Sequence, residues 1–138
     1  MPPVDDAAIR SLLSSAKVIA VVGLSSKRTR ASFGVSRYMQ SAGYRIIPVN
    51  PNETEVLGEK AYPNLDSIPA QVKIDIVDIF RRSEEVPEVV EAAMKRGVPA
   101  IWMQEGVIHE ASAVEARKSG ILVVMDHCIL KEHQRLIG

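Results

Sequence analysis

"KVIAVVGLSSKRTRASFG", residues 17–34, decides how the rest of the chain is read. The apolar run Val18–Val22 stops at Gly23 and gives way to a loop dense in hydroxyls and cations. A continuous apolar run of this length suits a strand covered on both faces. Helical character resumes near Ser32 and stops at Gly43, a good position for a C-terminal cap. Strand, loop and helix in that order are how a chain delivers a phosphate-binding loop to the positive end of a helix.

The pattern repeats outward from this unit. Before it, Asp5–Ala16 spaces Ile9, Leu12 and Leu13 on one helical face. After it, "YRIIPVNP" reads as a second strand, with Pro48 placed near its end or at an irregularity because proline donates no ladder bond. A polar segment, "NETEVLGEK", leads to a short extended piece at Ala61-Tyr62. "IDIVDIF", residues 74–80, is the next strand. In "SEEVPEVVEAAMKRG", Ser83 is expected to cap, Pro87 is tolerable early, and Gly97 ends the helix. "AIWM" and "ILVVM" are strands on either side of a helix over Glu110–Ser119. A last helix from Ile129 is expected to dock through Ile129, Leu130, Leu136 and Ile137. Strands alternating with helices predict an α/β fold: a doubly wound, mainly parallel sheet in a three-layer α/β/α arrangement, one domain over residues 1–138. In such a sheet ligands bind outside the carboxyl ends of the strands, at the switch point beside the first.

Composition narrows the partners. The chain has 138 residues, 46% of them hydrophobic, which fits a folded globule. Lys+Arg and Asp+Glu balance at 17 each, so no global field draws it to nucleic acid or to an anionic membrane. The lone cysteine excludes an intrachain disulfide framework and suits a reducing cytoplasm. "MPPVDDAAIR" places acids where a signal peptide needs a basic and then an apolar run. A soluble cytoplasmic protein is expected.

Laid on Gly23, the dinucleotide fingerprint puts Ser25 and Arg28 where its second and third glycines belong. No Gly-Lys-[Ser/Thr] follows, so the P-loop pattern fails too. What remains is Gly23, the hydroxyls of Ser25, Ser26, Thr29 and Ser32, and the cations Lys27, Arg28 and Arg30. Donors of this charge and density suit phosphate. At the end of the second strand, where a nicotinamide-binding domain places a ribose-binding acid, stands neutral Asn50, with Glu53 displaced beyond Pro51. A ligand with an extra ribose phosphate tolerates this, and NADP and coenzyme A both meet that description.

Other polar groups carry less. Strand alternation puts Asp75 and Asp78 on different faces; Asp78 is the better functional candidate, with structural pairing the leading reading. Glu105 and His109 could do acid–base work, or simply shape a loop. Trp102 is expected in the core or pocket wall. In "MDHCILKEH", one cysteine and two histidines more than a helical turn apart argue against metal ligation. Cys128 reads first as a buried small residue; a thiol activated at a helix N-terminus, or one paired with a ligand's thiol, are the alternatives.

Taken together, "AVVGLSSKRTRAS", "GYRIIPVNP", "VDIFRRSEEVPEVV", "IWMQEGVIHEAS" and "VVMDHCI" resemble the small bacterial CoA-binding proteins. These are stand-alone, Rossmann-like relatives of the N-terminal domain of the succinyl-CoA synthetase alpha subunit. The resemblance runs from Ala16 to about Leu136. It implies coenzyme A, or an acyl-CoA, along the strand ends: Gly23, Ser25 and Lys27 in the loop, Arg30 and Ser32 at the helix start. It also implies Asn50 and Pro51 at a turn, Phe80 and Arg81 after the third strand, and Gln104 and Gly106 flanking the pantetheine arm. His127 stands where relatives often have arginine, so no charge role carries over there. Neither the phosphorylated histidine nor the ligase domain of the synthetase maps onto this chain. The expected role is a non-catalytic binding or regulatory module, its protein partner left open. The rivals are a small NADP-dependent oxidoreductase and an interaction subunit with a vestigial pocket.

Overall fold

The computed structural model describes residues 4–138; the first three residues of the acidic N-terminal stretch lie outside the described region. Helix α1 (Asp6–Ser15) opens the chain, capped by the Asp5 carboxylate, which accepts from the Ala8 N–H at 2.8 Å. Then come β1 (Val18–Val22), α2 (Ala31–Ser41) and β2 (Arg45–Val49), followed by the short strands β3 (Glu55–Val56) and β4 (Glu59–Lys60). Further on are β5 (Ile76–Ile79), α3 (Val86–Arg96), β6 (Ala100–Met103), α4 (Glu110–Lys118), β7 (Leu122–Val124) and α5 (Ile129–Leu136).

β2, β1, β5, β6 and β7 form a five-stranded sheet in that order, every pairing parallel. The order turns back beside β1, so the switch point falls between β1 and β5. Strand alternation sorts the side chains into two cores. Ala20, Ile47, Val77, Ile101 and Val123 pack beneath α3 and α4. Ile19, Val21, Ile46, Ile76 and Trp102 pack with α1, α2 and α5. The expected three-layer, doubly wound sheet is the fold.

Pro48 lies near the end of β2, as expected, and is tolerated because β2 is the edge strand, while its carbonyl accepts from the Tyr62 N–H at 3.0 Å. Other local expectations are corrected. The polar segment after β2 is a hairpin, β3–β4, turning at Leu57 and Gly58 with φ of 56° and 77°. Ser83 caps nothing: its hydroxyl accepts from the Ile108 N–H at 3.0 Å, and α3 starts at Val86 after a 3-10 turn. Ile129, Leu130 and Leu136 dock as expected, but Ile137 is exposed, and α5 also buries Glu132 and His133. The Arg96 guanidinium donates to the carbonyls of Leu65, Ile68, Pro69 and Val72, pinning that loop to the end of α3. Among the described residues, no helix is long and apolar enough to cross a membrane.

Candidate functional site

The strands' carboxyl ends converge on Gly23. Its N–H donates to the Val49 carbonyl at 2.8 Å, while the Phe80 N–H donates to the Val22 carbonyl at 2.8 Å. With φ at +93°, Gly23 lies so close to β5 that an added Cβ would stand 2.1 Å from the Phe80 carbonyl oxygen. The glycine therefore serves strand-to-strand approach.

Beyond Gly23 the loop is braced from within. Ser25 N–H donates to Ser32 Oγ at 3.1 Å, and Lys27 N–H to Ser25 Oγ at 3.1 Å. Asn50 ties it to the β2 turn: Nδ2 donates to the Leu24 carbonyl at 3.1 Å, and Oδ1 accepts from the Asn52 N–H at 3.0 Å. Ser26 gives both its N–H and its hydroxyl to Glu53 Oε2, at 2.8 and 2.9 Å. At the start of α2, the N-cap residue Arg30 supplies no side-chain cap. The first N–H groups of that helix and the positive end of its dipole are left for another acceptor.

These groups face a cavity of about 890 Å³, within the range of small-molecule sites. It brings together Gly23, Ser25, Ser26, Lys27, Arg30, Ser32, Asn50, Phe80, Arg81, Gln104 and Gly106. Two residues named from the sequence lie elsewhere. Arg28 is not on this wall; its guanidinium stacks 5.8 Å over the Phe33 ring. Pro51 lines a neighbouring cavity of about 530 Å³, which meets the first at Arg81.

The far wall comes from β6 and β7. Gln104 is buried, and its Oε1 accepts from the Ile129 N–H at 3.1 Å, joining the β6 loop to α5. Gly106 N–H donates to Asp126 Oδ1 at 2.8 Å, and both residues have positive φ. Cys128 is the N-cap residue of α5, buried and on the cavity wall. Arg82 and Glu53 were not named as site residues from the sequence, and Cys128 was placed near a ligand only in an alternative reading. For Arg82 the signal was its place next to Arg81 at the end of a strand. For Glu53, only the three-dimensional return of the β2 turn reveals it.

The remaining candidates separate. Glu105 pairs with Lys131 at 3.1 Å, whereas His109 caps α4, its Nδ1 accepting from the Ser112 N–H at 3.2 Å. His109 faces the groove between α3 and α4, so the two do not form an acid–base pair. Trp102 is fully buried, its Nε1 donating to the His127 carbonyl at 2.8 Å. Asp75 sits at the opposite end of the sheet, where Oδ2 accepts from the N–H groups of Lys17 and Val18 at 2.9 Å. The pairing expected of Asp78 is absent among the described residues: it is 1% exposed, between Val21 and Trp102 in register, and its Oδ1 has no hydrogen-bond partner there. Burial pushes its carboxyl well above the ordinary carboxylate value.

Comparison with known proteins agrees with this architecture. The sequence is 45% identical over 127 residues to the uncharacterized protein YneT of Bacillus subtilis, covering 92% of this chain and 93% of that one. It is 28% identical to an ADP-forming acetate–CoA ligase of Archaeoglobus fulgidus, where the match covers 78% of this chain but 17% of the enzyme. Among solved structures, a hypothetical protein from Pyrococcus horikoshii superposes with a TM-score of 0.93 at 37% identity, covering 100% of this chain and 98% of that one. A Thermus thermophilus protein gives 0.91 at 33% identity, covering 96% and 99%. The family model described as "CoA binding domain" matches residues 17–134, and the chain belongs to that family.

Proposed function

We propose that this chain binds coenzyme A or an acyl-CoA at the carboxyl ends of its parallel strands, as a binding or regulatory module without chemistry of its own. The observation that carries the reading is the uncapped start of α2, opening into a cavity walled by Lys27, Arg30, Arg81 and Arg82. Helix amides with Lys27 and Arg30, joined by Arg81 and Arg82 that exchange their pairing with Glu84 and Glu85, favour a diphosphate. In a sheet of this order the nucleoside belongs on the β2 side of the loop. There the second cavity presents Val49 and Pro51, apolar surfaces for a base, next to Arg81. The acyl or thiol end would run the other way, toward Gln104, Gly106 and Cys128. The ligase activity in the name of the longer Archaeoglobus relative belongs to a protein of which this chain spans 17%, and is not part of the proposal.

Thermal-shift titration with CoA, acetyl-CoA, NADP and NAD tests it. A ligand selective for the native state raises the melting temperature once its concentration exceeds its dissociation constant. Stabilisation by CoA or acetyl-CoA and not by NAD is the expected result. Stabilisation by NADP alone would replace the reading with the reductase, and no shift with any of them would favour the interaction subunit.

A further inference from the structure

The amides of Ser25, Ser26 and Lys27 each have an acceptor, and one acceptor is out of character. Ser25 and Lys27 donate to hydroxyls of Ser32 and Ser25, which belong to the loop and its helix. Ser26 instead donates its N–H and its Oγ–H to a single carboxylate oxygen, Glu53 Oε2, which arrives from the turn after β2. One anionic oxygen held by an N–H and an O–H is what a bound phosphate oxygen would look like at this place. No Lys or Arg nitrogen pairs with Glu53 within 4.0 Å among the described residues, so its anchor is Ser26. Ser26 is exposed and Glu53 half-exposed, which makes the contact exchangeable with solvent and with solutes.

Resting on the nucleotide reading of the cavity, we infer that Glu53 is a built-in competitor for the phosphate on the ligand's ribose. In the free protein its carboxylate holds both Ser26 donors, and it gives them up when that phosphate arrives. The location selects the ribose phosphate over the diphosphate. Ser26 meets the β2 turn, where the ribose of a nucleotide lies, while the diphosphate belongs at the α2 start. A phosphate monoester, with close to two charges and three acceptor oxygens, displaces a carboxylate, and a neutral ribose hydroxyl does not. Glu53 thereby sets a cost that only phosphate-bearing ligands meet: a nucleotide lacking the extra phosphate binds with the acid still on Ser26.

Isothermal titration of the wild type, E53A and E53Q with CoA and with dephospho-CoA tests the inference, with thermal melts confirming that each variant is folded. Removing the competitor is expected to tighten CoA about three- to tenfold, the scale of a hydrogen bond to a charged group discounted for exposure. Dephospho-CoA is expected to stay within about twofold of its wild-type affinity in both variants. E53Q is the fallback should E53A fail to fold, and it is expected to move in the same direction. Unchanged or weaker CoA binding in a folded variant, with the wild type still binding CoA, overturns the competitor role alone. Equal tightening of both ligands overturns the assignment to the ribose phosphate. Absence of CoA binding in wild type and variants alike overturns the nucleotide reading, and this inference with it.

Discussion

Gly23 lies against the backbone of Phe80 with room for a hydrogen and nothing larger: a Cβ there would meet the Phe80 carbonyl oxygen at 2.1 Å. The obstacle is main chain at the end of β5, which cannot rotate aside as a side chain can, and φ of +93° disfavours any L-residue besides. Gly23→Ala is expected to lose about 3 kcal/mol or more of stability, because both strain mechanisms act at one site. Urea unfolding measures it. A loss under about 1 kcal/mol would show that β1 and β5 separate easily, contrary to the role given to this residue.

Arg30 and Arg28 lie two positions apart and are predicted to behave differently. Arg30 is on the wall of the main cavity, whereas Arg28 is held over Phe33. R30A should weaken CoA binding about tenfold, with a smaller salt dependence than the wild type, as one charge-assisted contact is lost. R28A should leave affinity within about twofold and reduce only the aromatic contact. Titration calorimetry at two salt concentrations separates them, and equal losses would mean that charge density alone attracts the ligand.

The contrast between these two arginines shows what the sequence could carry. The sequence named both, but only the path of the loop turns one toward the cavity and the other onto a ring. Val18–Val22 and Ala100–Met103 were legible to the residue because an uninterrupted apolar run has one use in a sheet covered on both faces. The β3–β4 hairpin was not, since its turn holds Leu57 in the left-handed region, where local preference argues against leucine. Ser83 had the right residue type for a cap, but tertiary contact with Ile108 and Gly106 claimed its hydroxyl. Glu53 was visible as an acid beyond Pro51, yet its grip on Ser26 depends on two segments meeting across 27 residues of chain.

Asp78 makes stability depend on pH in an unusual sense. Its folded pKa is raised by burial above the ordinary unfolded value of about 4, so over the window between the two the folded state binds more protons than the unfolded state. Stability from this group is fully present below about pH 4 and is lost as pH rises toward the folded pKa. Asp78→Asn, similar in size and uncharged, removes that dependence. Urea unfolding of both proteins from pH 4 to 8 should show D78N gaining on the wild type as pH rises, whereas parallel curves would place an undetected partner on the carboxyl.

Backbone amide NMR of the isotopically labelled protein, titrated with CoA, tests the central claim most directly. Ligand at the strand ends is expected to shift the amides of Gly23–Ser32, Asn50, Arg81 and Gln104–Gly106 together, in one saturable process. The amides of Ala111 and Ser112, in the groove between α3 and α4, should stay still. Shifts confined to that groove, or a spectrum that does not change at saturating CoA, would contradict the account.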